Sequence, residues 1–304
     1  MSERQAVGSI LDKAFRVLGT FLKKARKNPI WIERLETMLG GRNPFEQIKE
    51  AVKVVKNWLQ PIVDLERKSH KDFFGTPFGL SKFTKTLKTY GQAAVVTWQN
   101  LGLEPHFLPG IVLSQDSNLL GWKIKPEPWF WNKIKEGKIR WLIKGELVAD
   151  QKAGDLEGIT ILVDTRLKPK YGDEYKDDWL GQIISGLRKA GKIQDFNPRS
   201  SRFNVSAEET ELIKAEAAKI LGLKSEQIRL EREIEANVIP QMYPYMPRVN
   251  DGRTNTWEWR EEFFGGRGYR LDGGYSGGGG LAGVSCGSGG HPWGSRAFRL
   301  LAVL

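Results

Sequence analysis

The 304-residue chain contains one cysteine, Cys286, and three histidines, His70, His106 and His291. A single thiol excludes an intrachain disulfide and any metal cage built from several cysteines. The histidines lie far apart and show no ligand spacing, so neither a His-based metal site nor any other cofactor is expected. No apolar run approaches the roughly 20 residues that a spanning helix needs. The opening stretch, MSERQAVGSILDKAF, lacks the basic-then-apolar layout of a signal peptide. These absences predict cytoplasmic synthesis without membrane insertion, with lysis or a virion-like particle as the route outside. Also missing are P-loop, HExxH, GxSxG and EF-hand patterns, which removes the commonest short signatures of catalysis.

Hydrophobic residues make up 40% of the chain, with eleven Trp and fourteen Phe, enough for a sizeable core. Its length suggests about two domains at roughly 100–200 residues each. Lys and Arg number 47 against 36 Asp and Glu, a net charge of +11. Such an excess suits nucleic acid, an anionic membrane surface or an acidic envelope. Apart from Lys23–Lys27 and a Lys-rich stretch from Lys123 to Lys144, however, the basic residues are dispersed, as on an ordinary solvated surface.

The pattern along the chain predicts an α+β protein. Apolar residues between Val7 and Lys27 recur at helical spacing. Asn28-Pro29 and Asn43-Pro44 then each offer a cap followed by proline at the first helical position. Three short helices up to about Trp58, before Pro61, define an α-helical N-terminal region over 1–92, either a small bundle or a docking module. From Ala93 onward, AAVVTW, PGIVL, GWKIKPEPWFW and KIRWLIKGELV read as short strands and turns. Glu157–Leu167 reads as a buried strand. Helices are expected over DDWLGQIISGLRKAGK and, opened by the capping box Ser206-x-x-Glu209, up to Gly222. A third is expected over SEQIRLEREIEANVI, ending before Pro240. TWEWREEFF reads as a strand, and 93–304 forms the second domain.

Several motifs fail on context. Gly278–Gly283 matches G-x-G-x-x-G, but only 21 residues follow Gly283, too few for the βαβ unit the fingerprint needs. RGYRL begins like an RNA-binding RNP1 segment but lacks its continuation. Asn204-Val205-Ser206 is a formal glycosylation sequon whose serine doubles as a helix cap. The pairs Asp177-Asp178 and Glu208-Glu209 sit where helix N-termini favour negative charge.

Ten of the eighteen residues from Gly273 to Gly290 are glycine and none is charged. A flexible linker should join two domains, yet only a short apolar tail, SRAFRLLAVL, follows. The stretch is therefore expected to be a long structured loop held at both ends, and such loops are usually functional.

NTWEW (Asn255–Trp259), YRLDGGY (Tyr269–Tyr275), GGLAGV (Gly279–Val284) and GSRAFRLL (Gly294–Leu301), in that order, resemble the C-type-lectin-fold variable proteins of diversity-generating retroelements. The resemblance is strongest over about the last 55 residues and closest to members from archaea, their viruses and uncultivated bacteria. It implies a C-type-lectin-like domain with a hypervariable ligand-binding region at about 272–294. It also implies that varied codons are NNY, which never encode Lys, Glu, Gln, Met or Trp. None of these five occurs from Asp272 to Pro292.

The resemblance makes Tyr275, Gly277, Gly278, Leu281, Ser285, Gly287, Gly289, Gly290, Pro292 and Gly294 the diversified positions on one exposed face. Ser276, Cys286, Ser288, His291 and Trp293 lie among them as further ligand contacts, with Trp293 itself fixed, since no NNY codon encodes it. Gly273, Gly274, Gly279, Ala282, Gly283 and Val284 would be scaffold, and Arg296–Leu304 a central strand. The implied function is non-enzymatic recognition of a protein or cell-surface ligand, with the N-terminal helices attaching the domain to a virion or larger assembly. Calcium-dependent sugar binding is not implied, because EPN and QPD are absent. Two alternatives stand beside it. The +11 charge and the aromatics among lysines from Trp122 to Trp141 suit a nucleic-acid-binding protein. The formylglycine-generating enzymes share the fold, but their oxidative chemistry uses a cysteine pair and this chain has only Cys286.

Overall fold

The computed structural model describes residues 58–169, 173–246, 257–274 and 280–304. The three helices expected before Trp58 lie outside these, as do Asn255, Thr256 and residues 275–279. The chain divides into the units Met1–Ile62 and Val63–Leu304, a boundary earlier than the change of texture at Ala93.

The reason is helical. After α1 (Gln60–Phe74), helix α2 spans Ser81–Asn100 with a kink at Gly91 (φ 83°). It includes the AAVVTW stretch expected to be a strand. Phe83, Leu87, Val95 and Trp98 form one stripe, each at most 1% exposed. The Trp98 indole donates to the Leu221 carbonyl at 3.1 Å. Burial of that stripe outweighs the modest helix penalty of the valines. GWKIKPEPWFW likewise departs from expectation: it is a turn running into α3 (Pro128–Lys135), with proline in the first turn.

Two sheets form the body. The first is antiparallel, in the order β1 (Leu103–Ile111), β4 (Leu156–Asp164), β10 (Leu300–Val303), β5 (Ile228–Leu230). The second runs β3 (Glu146–Ala149), β2 (Ile139–Ile143), β6 (Trp257–Phe264), β7 (Gly266–Gly273), β8 (Val284–Ser288), with β9 (Arg296–Phe298) parallel to β6. Helices α4 (Gly181–Lys189) and α5 (Thr210–Leu221) follow β4, at the positions expected. Ser206 and Glu209 make the reciprocal capping box at 2.7 and 3.1 Å. Gly222 ends α5 in the left-handed region, φ 66°. The molecule is thus α+β, and Leu108, Phe130, Ile161, Val163, Leu271 and Leu301 lie in its shared core.

Two further expectations are corrected. The stretch 225–239 is not one helix. A 3-10 turn and β5 precede α6 (Glu233–Met242), because Ile228–Leu230 pairs with β10. Pro240 lies inside α6 rather than beyond it. Nor is Arg296–Leu304 one strand. It breaks at buried Arg299, which donates to the Asp164 and Arg166 carbonyls and pairs with Glu258 at 3.2 Å. The chain crosses from one sheet to the other at that residue.

Candidate functional site

The glycine-rich segment connects β7 to β8, the outermost strand of the second sheet, and its supports come from elsewhere in the chain. Gly274, at φ 90°, donates to the Gly283 carbonyl at 3.1 Å and closes the base of the loop. Lys168 donates to the Gly274 carbonyl at 2.5 Å. A Cβ on Gly273 would collide with the Glu233 carboxylate and crowd the Arg260 guanidinium, so only glycine fits there. On the far side, the Glu127 amide donates to the Ala282 carbonyl and its carboxylate accepts from the Val284 amide at 2.8 Å. The Asn237 amide nitrogen donates to the Leu281 carbonyl at 3.0 Å. Every residue assigned to the scaffold and described here is held by its backbone or by close packing.

Beneath the segment, the strand β6 supplies two buried anchors. The Trp259 indole donates to the Val205 carbonyl at 2.9 Å. Glu258 accepts from the Tyr175 hydroxyl at 2.8 Å and pairs with Arg299. Above Trp259 lies the Arg296 guanidinium, 4.9 Å from that ring and 4.5 Å from the ring of Trp293 on its other side. His291 meets Trp293 edge-on at 4.7 Å. Asp272, fully buried, holds Arg296 at 2.6 Å. Burial pushes the Asp272 carboxyl up, Arg296 pulls it down, and it comes to rest at about 6. The result is a ladder from core to solvent, Trp259–Arg296–Trp293–His291, fixed by one ion pair.

Among the proposed ligand contacts, Gly290, His291 and Trp293 are exposed and Leu281, Ser285, Ser288, Pro292 and Gly294 half-buried. Gly287 and Gly289 depart from the expected exposed face, for both are buried. A Cβ at Gly287 would press on the Arg296 guanidinium, and one at Gly289 on the Arg270 side chain. The glycine at 287 is what lets Arg296 lie against β8. Cys286 also points the other way, packed against the hydrophobic core, and burial raises its thiol. A thiol so placed is a poor nucleophile. Tyr275, Ser276, Gly277 and Gly278 lie outside the described residues.

Sequence reasoning missed several contributors. Tyr269 is 54% exposed on β7 opposite Ser288. Glu208 places its carboxylate beside Gly290 and its amide donates to the Gly289 carbonyl. Arg296 does begin a strand, β9, but its place in a stacked ion pair was not read, although it lies three residues from Trp293. Glu127 and Asn237 carry no local signal for the site, since their contacts with the segment span more than 40 residues. No family model, curated protein or solved structure matches the chain.

Proposed function

We propose that this chain is a non-enzymatic binding protein, a C-type-lectin-like scaffold whose glycine-rich segment displays a diversified surface for a protein or cell-surface ligand. The observation that carries the reading is the division of labour within one short segment. Gly273, Gly274 and Val284 are tied to distant residues and the carbonyls of Leu281 and Ala282 are held as well, whereas the side chains of Leu281, Ser285, His291, Pro292 and Trp293 and the open position at Gly290 lie at or near solvent. Side chains there can change without unfolding the support, and a preorganised backbone lowers the ordering cost of binding. Trp293 and His291 provide rigid aromatic contact area. The oxidase alternative is weakened by the orientation of Cys286 toward the core.

The test is a pair of surface-displayed libraries of the full chain. One carries NNY codons at 281, 285, 290 and 292, the other at 273, 274, 282 and 284. The reading expects the first to keep protease resistance in most members and to yield binders to arbitrary protein targets. Most of the second should lose resistance. Equal loss in both libraries would remove the basis for the proposal.

A further inference from the structure

At the other end of the same sheet from β8, a cleft of about 580 Å³ opens between one face of the β2–β3 hairpin and the end of β1. That volume lies within the roughly 300–1,000 Å³ usual for binding sites. Its walls carry Val112, Ile143 and Val148, which are 80%, 50% and 37% exposed. Single exposed aliphatics are ordinary, but three around one cleft are not. Trp141 and Val148 are register partners across the β2–β3 hairpin, and Ile143 shares their face.

Among the described residues, the strand β3 is the last in its sheet and pairs with β2 alone. Its sequence, ELVA, has no proline, its register with β2 shows no bulge, and its one charge is Glu146. Apart from the strand's short length of four residues, the usual protections of an edge are therefore thin.

The charge of the cleft narrows the occupant. In a chain of net charge +11, the ionisable lining is Asp150, Asp155 and Glu157 against Lys152 and Arg232. Arg232 is 2% exposed and already engaged. It pairs with Glu157 at 3.1 Å and Asp150 at 3.5 Å, and donates to the Asp155 and Lys152 carbonyls. Asp155 accepts from the Leu113 amide at 3.3 Å, and Glu157 remains 46% exposed. The cleft thus offers the carboxylates of Asp155 and Glu157 to an incoming cation, and with Arg232 engaged its one remaining cation is the exposed Lys152.

We propose that this cleft is a second binding site, which takes an extended segment of a partner protein by strand addition to β3. Alternate apolar side chains of the segment contact Val112, Ile143 and Val148, and a Lys or Arg between them reaches Asp155 and Glu157. Main-chain pairing supplies affinity and the side-chain pockets supply selectivity. A second copy of this chain carries the same net charge of +11 and the same acidic cleft, so it lacks the charge complementarity of a basic segment. The inference stands apart from the reading of the glycine-rich segment.

The experiment uses the full chain and blocked, fluorescein-labelled heptapeptides in which Val, Ile or Phe alternates with Lys, Arg, Glu or Gln, read by fluorescence anisotropy. Saturable binding is expected for the basic series. Glu in place of Lys, or N-methylation of alternate backbone amides, should weaken it tenfold or more. Val112→Lys and Ile143→Lys change exposed side chains, so circular dichroism should show them folded, and each should weaken binding by a similar factor. The proposal is overturned by absence of saturable binding in the basic series, or by binding indifferent to N-methylation and to both variants. Self-association in sedimentation velocity that Val112→Lys abolishes would assign the cleft to a second copy and overturn it as well.

Discussion

Replacing Arg296 with methionine removes the guanidinium between Trp259 and Trp293 but keeps an unbranched chain to fill the gap. Asp272, fully buried, then loses the partner that holds it at 2.6 Å. Breaking a buried ion pair from one side costs about 3–5 kcal/mol. Because the Arg296 side chain is 12% exposed, the lower figure, about 3 kcal/mol, applies near pH 8. The cost should depend on pH. With Arg296 present, burial already raises the Asp272 carboxyl from 3.8 to about 6. A folded value above the free one means stability is fully present below pH 3.8 and is lost as pH rises through the folded value. Without Arg296 that value climbs further, so near pH 5 Asp272 takes up a proton and avoids a buried charge. There the cost should fall to about 1–2 kcal/mol, the lost stacking of the guanidinium between the two tryptophans. Urea unfolding of wild type and variant, followed by Trp fluorescence near pH 5 and pH 8, measures both. Adding Asp272→Asn should recover part of the loss near pH 8. Equal destabilisation at the two pH values, or a cost under about 1 kcal/mol near pH 8, would refute the assignment of the pair as the clamp of the ladder.

Three other outcomes are expected. Glu66, 1% exposed, accepts from the Phe107 amide, the Tyr243 hydroxyl and His106. Burial opposes both charges, but their mutual attraction wins and sets Glu66 at about 2 and His106 at about 9. The Glu66 contribution is present above pH 4.5 and lost toward 2; that of His106 is full below 6.5 and lost toward 9. Glu66→Gln should therefore cost about 3–5 kcal/mol between pH 5 and 6 and progressively less toward pH 9, read as Tm against pH. Gly273→Ala should destabilise by about 2 kcal/mol or more through collision with Glu233, whereas Gly268→Ala, with nothing within 4 Å, should be near neutral by the same urea assay. His291→Ala, on an exposed residue, should leave the unfolding free energy within about 0.5 kcal/mol of wild type.

Much of the fold was legible where local signals and tertiary packing agree. KIRWLIKGELV forms the expected strands and turn, paired as a hairpin with Lys144 and Gly145 at positive φ in the turn. The capping box at Ser206 and the stop at Gly222 also fall where local chemistry places them. The misreadings share one cause, which is distant partners overriding local preference. Val95 and Val96 favour strand in isolation, but the stripe of Phe83, Leu87 and Trp98 draws them into α2. Ile228–Leu230 lies in a helix-favouring run, yet β10 offers a ladder. The break at Arg299 could not be seen without Asp164, Arg166 and Glu258, all far away in sequence. In the site, the scaffold glycines were legible because collision or positive φ demands glycine. Gly287 was not, since the group that needs its empty space is a side chain nine residues on.

The central claim is that one surface of this segment varies while its supports do not, and sequencing the gene from many members of one natural population tests it most directly. The account predicts substitutions concentrated in NNY codons at Tyr275, Gly277, Gly278, Leu281, Ser285, Gly290 and Pro292, with Trp259, Gly273, Ala282, Trp293 and Arg296 unchanged. Variation spread evenly along the chain, or as frequent at Gly273 and Arg296 as at Ser285 and Gly290, would contradict it.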